Sequence, residues 1–163
     1  MMNSIMQQIM ITGPGNEENI ASCLAIARQL DEYFVESAIT RMGQDMADQA
    51  LYVALHMNEA VGFAVMDCKS NHAAEISWMA VKPEYQRQGI GSALVDRVAS
   101  DFSSQGTRVM EVKTLSADVD YPPYEKTRRF YEKAGFIHLD TIDPYPGWEP
   151  GNPCAIYVKI LSR

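Results

Sequence analysis

The stretch Val81-Lys82-Pro83-Glu84-Tyr85-Gln86-Arg87-Gln88-Gly89-Ile90-Gly91-Ser92-Ala93-Leu94 joins two kinds of sequence. Ahead of it, Ala73 to Val81 reads as a strand. Behind it, Ile90, Leu94, Val95, Val98, Ala99 and Phe102 recur at helical spacing. The junction is therefore strand, glycine loop, helix. A helix start leaves about four backbone N–H groups without intrahelical partners and carries roughly half a positive charge, so it suits a pyrophosphate. Gly89 and Gly91 let a ligand approach bare main chain. Two other phosphate loops are excluded by spacing. A dinucleotide fingerprint needs a third glycine where Leu94 stands, and a P-loop needs Gly-Lys-Ser/Thr where the chain has Gly91-Ser92-Ala93.

Working outward, Ser4 to Thr12 predicts a first strand, and Asn16 a cap for a helix whose apolar stripe is Ile20, Leu24, Ala27 and Leu30. Phe34 to Ala47 predicts a short second helix. Leu51 to His56 and Ala60 to Asp67 predict a hairpin turning at Met57-Asn58-Glu59. Strict alternation along Ala73 to Val81 puts Glu75, Ser77, Met79 and Val81 on one face, with Ile76, Trp78 and Ala80 on the other. Past the Ile90–Phe102 helix, Val109 to Leu115 predicts a strand and Tyr124 to Ala134 a helix stopped by Gly135. Phe136 to Ile142 and Cys154 to Leu161 predict the last two strands. Tyr124, Thr127 and Tyr131, three and four residues apart, share one helix face.

Composition bounds the function. The 163 residues predict one domain, residues 1–163, with an apolar share of 47% and a charged share of 21%. No apolar run reaches the ~20 residues of a membrane span, so no membrane partner is expected. Met1 to Met10 has neither Lys nor Arg, unlike a signal peptide. Three scattered cysteines, Cys23, Cys68 and Cys154, predict buried reduced thiols and a cytoplasmic protein. His56, His72 and His138 are dispersed without metal-ligand spacing, so no metal is expected. A net charge of −7 argues against a nucleic-acid partner and leans towards a cationic substrate.

The hexapeptide Gln86-Arg87-Gln88-Gly89-Ile90-Gly91 resembles the acyl-CoA loop of the GNAT superfamily of N-acyltransferases, Gln/Arg-x-x-Gly-x-Gly/Ala. A second stretch, Arg129-Phe130-Tyr131-Glu132-Lys133-Ala134-Gly135-Phe136, resembles that family's other signature, an aromatic pair on a helix closing with Lys-x-Gly-Phe before a strand. The order of elements from Leu51 to Leu161 is similar to the family as well. The resemblance implies a mixed α/β (α+β) fold with a mostly antiparallel sheet of about seven strands and helices on both faces. It implies acetyl transfer from acetyl-CoA to a primary amine, carried by a small molecule or a peptide, in a ternary complex. The cofactor-binding positions it implies are Met79, Ala80 and Val81 for the pantetheine, and Gln86, Arg87, Gln88, Gly89, Ile90, Gly91 and Ser92 for the pyrophosphate. Tyr124 stands where many relatives place a pantetheine-contacting asparagine, and Thr127 joins it on the face of Tyr131. Tyr131 takes the position of the hydroxyl facing the CoA sulfur, and Glu75 that of the base. A homodimer is compatible with this resemblance, and so is a non-catalytic acyl-CoA sensor or adaptor that kept the cofactor site. The Tyr145–Pro150 loop and the Asp120–Tyr124 segment offer aromatic and carboxylate groups to an amine.

Overall fold

The computed structural model describes residues 4–15 and 17–162. Seven strands form one sheet: β1 (Ile9–Thr12), β2 (Ala50–His56), β3 (Glu59–Cys68), β4 (Ala73–Val81), β5 (Val109–Leu115), β6 (Ile137–Ile142) and β7 (Cys154–Ile160), in the order β1-β2-β3-β4-β5-β7-β6. Every neighbouring pair is antiparallel except β4 with β5. A parallel pair needs a crossover, and α3 (Ile90–Ser104) supplies it. Helices α1 (Ile20–Arg28) and α2 (Glu36–Asp48) cover one face, packing Cys23, Ile26, Ile39, Met42 and Met46 on Val53, Phe63 and Val65. The other face carries α3 and α4 (Pro122–Lys133), with Leu94, Val95, Val98 and Tyr131 over Ala64, Ile76, Met110 and Val112. In α3 the buried residues Ile90, Leu94, Val95, Val98 and Phe102 follow the stripe its spacing announces, whereas α1 buries Cys23, Ile26 and Ala27 and leaves the expected Ile20, Leu24 and Leu30 only half-buried.

Several expectations are corrected. Residues 6–8 form a single 3-10 turn before β1 begins at Ile9. That turn lets Met6 pack behind the glycine loop, 3.7 Å from where a Cβ on Gly89 would stand, and lets Gln8 Oε1 meet His56 Nε2 at 3.0 Å. The expected cap Asn16 lies outside the described residues. The α4 helix starts two residues early, because Pro122 and Pro123 suit a first turn whose N–H groups lack partners anyway. Cys68 is exposed, since it ends β3 beyond the helices, whereas Cys23 and Cys154 are buried. Burial pushes their thiols up to about 12 and about 11.

The correction with most consequence is in β4. Val65 pairs with Trp78 while Met66 pairs with Ile76, so Ser77 is an extra residue, a β-bulge. Its single hydroxyl proton is shared between Gln49 Oε1 at 2.6 Å and Val65 O at 3.1 Å, fastening the bulge to the end of α2 and to β3. The bulge resets the alternation. Ile76 faces the α3–α4 core with Met79 and Val81, and Trp78 and Ala80 face the α1–α2 core. Glu75 therefore lies on the face opposite Met79 and Val81, contrary to strict alternation.

Candidate active site

The pairing of β4 with β5 stops at Ile76 with Val112. Beyond it β5 continues along β7 as far as Leu115 with Cys154, while the β5-facing edge of β4 from Ser77 to Val81 has no strand partner among the described residues. A wedge opens between the two strands. It is the centre of a cleft of about 1560 Å³ that runs from the glycine loop, past Met79, Ala80 and Val81, to Glu75, Lys113 and the Tyr145–Glu149 loop.

At one end, the main chain turns through a 3-10 segment, Pro83–Tyr85, then Arg87 at φ 60° and Gly89 at φ 92°. Gly89 is the N-cap of α3 in a left-handed conformation that a β-carbon disfavours. The first amide of α3 with a backbone acceptor is that of Ala93, donating to Gly89 O at 3.0 Å. The N–H groups of Gly89, Ile90, Gly91 and Ser92 have no acceptor among the described residues. Side chains hold the loop: Gln86 Nε2 donates to Val81 O at 3.0 Å and Gln88 Nε2 to Glu84 O at 3.1 Å. Gly91 has a further reason for lacking a side chain, since a Cβ there would stand 3.1 Å from two ring carbons of Phe130. Its bareness lets α4 approach α3.

The second signature has a mechanical reading. Gly135, at φ 92°, follows the C-cap Ala134. Phe136 N–H donates to Tyr131 O at 2.9 Å and Gly135 N–H to Glu132 O at 3.1 Å. This is a Schellman stop, and its usual apolar contact is the Tyr131–Phe136 ring pair at 5.3 Å and 74°. Phe130 adds a second edge contact at 5.1 Å. The stop thus locks the Tyr131 ring. Arg128 Nη1 donates to Leu115 O at 2.7 Å, tying α4 to the end of β5. Tyr131 is 6% exposed and walls the cleft, and its hydroxyl makes no hydrogen bond among the described residues. Burial pushes its phenol well above the ordinary tyrosine value.

Glu75, 9% exposed, walls the cleft from the other face. Its Oε2 receives Lys113 Nζ at 3.0 Å and Lys69 Nζ at 3.3 Å, while Oε1 makes no hydrogen bond among the described residues. Burial pulls the Lys113 ammonium down, but its hydrogen bond to Glu75, the charge of Glu75, Tyr145 and Glu111 together push it well above the ordinary lysine value. Tyr124 and Thr127 also wall the cleft, with hydroxyls turned to protein: Tyr124 Oη donates to Tyr33 O at 3.3 Å and Thr127 Oγ1 to Pro123 O at 3.5 Å. Two more bonds, Tyr33 Oη to Pro123 O at 2.9 Å and Tyr121 Oη to Glu32 O at 2.7 Å, staple the α1–α2 connection to the start of α4. Trp78 Nε1 donates to Asp45 Oδ2 at 2.6 Å. Sequence reasoning missed Tyr33, Phe34, Trp78 and Lys113 as cleft residues, and it missed Thr114. Thr114 is 3% exposed and reaches the cleft wall with a buried Oγ1 that has no partner among the described residues. An orphaned buried hydroxyl costs roughly 1–3 kcal/mol.

A sequence model of the acetyltransferase (GNAT) domain matches residues 47–138, more than half of the chain. Comparison with curated proteins finds no match. Among solved structures, a GNAT-family protein from Desulfovibrio desulfuricans is similar with a TM-score of 0.83 at 19% identity, over 94% of this chain and 99% of that one. The ribosomal-protein-S18-alanine N-acetyltransferase of Escherichia coli is similar with a TM-score of 0.75 at 16% identity, over 95% of each chain. A GNAT-family acetyltransferase from Elizabethkingia anophelis with acetyl-CoA bound gives 0.70 at 21%, over 94% and 99%. At such identities the solved structures speak for the fold. The matched segment runs from the end of α2 through the hairpin, β4, the glycine loop, α3, β5 and α4 to the start of β6, and on that match the chain belongs to the GNAT family of acetyltransferases.

Proposed function

We propose that the protein transfers an acetyl group from acetyl-CoA to a primary amine, by direct attack while both substrates are bound. The observation that carries this reading is one continuous cleft joining the free amides of Gly89–Ser92, the unpaired edge of β4 and the Tyr131 hydroxyl. The fit to CoA is physical. Four bare N–H groups at a helix start match a diphosphate, and the open edge of Ser77–Val81 matches an amide-bearing arm that can add as a strand. Arg87, Lys126, Arg129 and Lys133 wall the cleft on the glycine loop and α4, where an anionic nucleotide tail belongs. When bound, acetyl-CoA supplies an activated acyl group and a thiolate leaving group.

The chain's own groups then divide the work. Main-chain N–H groups of Met79–Val81 face the carbonyl oxygen as charge develops on it. The amine nitrogen forms a bond to the carbonyl carbon and the carbon–sulfur bond breaks. Tyr131 donates a hydrogen bond to the departing sulfur. Burial makes its phenol a weaker acid than usual, and a free thiol titrates near 8.5, so stabilising the thiolate is the reading its chemistry supports, rather than giving up the proton. Glu75 Oε1 accepts the amine's proton, directly or through a water. At the far end, Asp31, Glu32, Asp120 and Glu149 wall the cleft beside Tyr33, Trp78, Tyr145 and Trp148. These four carboxylates form no salt bridge among the described residues, which supports a positively charged acceptor held by carboxylates and aromatic faces.

The test is CoA thiol release over a panel of amines, polyamines, aminoglycosides, amino-acid derivatives and peptides, with Tyr131→Phe alongside. Turnover on at least one cationic amine, reduced in the variant, is expected. Tight CoA binding with no turnover on any amine would instead support an acyl-CoA sensor.

A further inference from the structure

We infer that Thr114 binds the acyl carrier, its Oγ1 donating a hydrogen bond to a carbonyl oxygen of the pantetheine arm where β4 and β5 part. The inference rests on the acetyl-CoA reading above and adds a residue that neither signature contains. Thr114 stands two residues beyond Val112, the last β5 residue that pairs with β4. It is held in register by β7, opposite Ala155. Met110 and Val112 of β5 are buried in the α3–α4 core, and alternation puts Thr114 on that same face, the face from which Tyr131 walls the cleft. Thr114 Oγ1 is buried and has no hydrogen-bond partner among the described residues, and Thr114 and Tyr131 both wall the cleft, one from β5 and one from α4. A valine would fill the same volume and leave no donor stranded. A threonine there is a liability to the empty protein and an asset only when an acceptor enters the wedge. Among the described residues Tyr52 Oη is the other buried side-chain atom without a partner, but Tyr52 does not wall the cleft.

Calorimetric titration of CoA into wild type, Thr114→Val and Thr114→Ser tests this without turnover. CoA without an acyl group keeps the arm's amide carbonyls. Thr114→Val should weaken CoA about tenfold, the size of one hydrogen bond, and Thr114→Ser should return to within about threefold of wild type. The unliganded valine variant should melt about 2–4 °C above wild type, since it loses an unsatisfied donor. A valine variant that binds CoA as tightly as wild type overturns the assignment, and so does a serine variant as weak as the valine one, which would point to lost packing. If wild type itself fails to bind CoA, the acetyl-CoA reading falls and the assignment with it. If wild type binds and the valine variant binds equally, only the assignment falls.

Discussion

The two halves of the cleft are built differently. The half proposed to hold the acyl carrier comes from one run of chain, β4, the glycine loop, α3, β5 and α4, whose working parts are main chain: amides without acceptors among the described residues, an open strand edge and a Schellman stop that fixes one ring. The acceptor half is assembled from four separate places, around Asp31–Asp45, Asp67–Trp78, Lys113–Tyr121 and Tyr145–Glu149. Its working parts are side chains stapled to one another across the fold. Backbone devices require particular residues at fixed spacing, glycines above all, and tolerate little else. Side-chain assemblies can be rebuilt residue by residue, so on the proposed function this half would choose the amine.

Perturbing the chemistry where the halves meet should have the largest effects. Replacing Glu75 with glutamine should lower kcat about 10²–10⁴-fold with CoA affinity within twofold of wild type, as removal of a general base does; steady-state kinetics paired with calorimetry measures both. An unchanged kcat would remove Glu75 from the reaction and leave it as the anchor of Lys113 and Lys69. Tyr131→Phe should lower kcat roughly 10–100-fold, the range for a hydrogen bond to a charged group. Because burial raises the phenol from its ordinary value of 10.0, the hydroxyl stays protonated at every pH below that. The ratio of wild-type to variant rate should therefore be the same at pH 7 and pH 9. A ratio that shrinks towards pH 9 would mean that Tyr131 ionises in the working range. Gly91→Ala should weaken CoA about tenfold and also reduce stability, because the new Cβ meets Phe130 at 3.1 Å. Loss of stability without loss of affinity would mean that Gly91 serves only the contact between α3 and α4.

The same division explains what could be read from the residues. Alternation and spacing gave β4 and β5 their observed ends and α3 its first residue, because a glycine loop and period-two burial leave little choice. The seating of Tyr131 in the cleft wall was legible because Gly135-Phe136 dictates the stop that holds its ring. The bulge at Ser77 was not legible: an extra residue leaves no compositional mark, and it alone moved Glu75 to the face opposite Met79. Nor were Tyr33, Trp78 and Lys113, which reach the cleft only through contacts between segments far apart in sequence. Thr114 was invisible for another reason. In a strand pattern a threonine counts as an ordinary β-branched residue, and only the lack of a partner for its hydroxyl among the described residues sets it apart.

The smallest expected effect belongs to the staples of the acceptor half. Tyr33 and Tyr121 spend their hydroxyls on Pro123 O and Glu32 O, holding the α1–α2 connection against the start of α4 beside Asp31, Glu32 and Asp120, which form no salt bridge among the described residues. Among the described residues no hydrogen bond or ring contact joins either tyrosine to the glycine loop or to the open edge of β4. The double variant Tyr33→Phe/Tyr121→Phe keeps both rings, including the Tyr33–Tyr124 contact at 5.3 Å, and removes two hydrogen bonds worth about 1 kcal/mol each at most, less for the more exposed Tyr121. The carboxylates would then be less firmly placed. The amine KM should rise about three- to tenfold, while CoA affinity and kcat at saturating amine stay within twofold. If CoA affinity falls together with amine KM, the two halves are mechanically one unit, and the contrast between a backbone-built and a side-chain-built site fails.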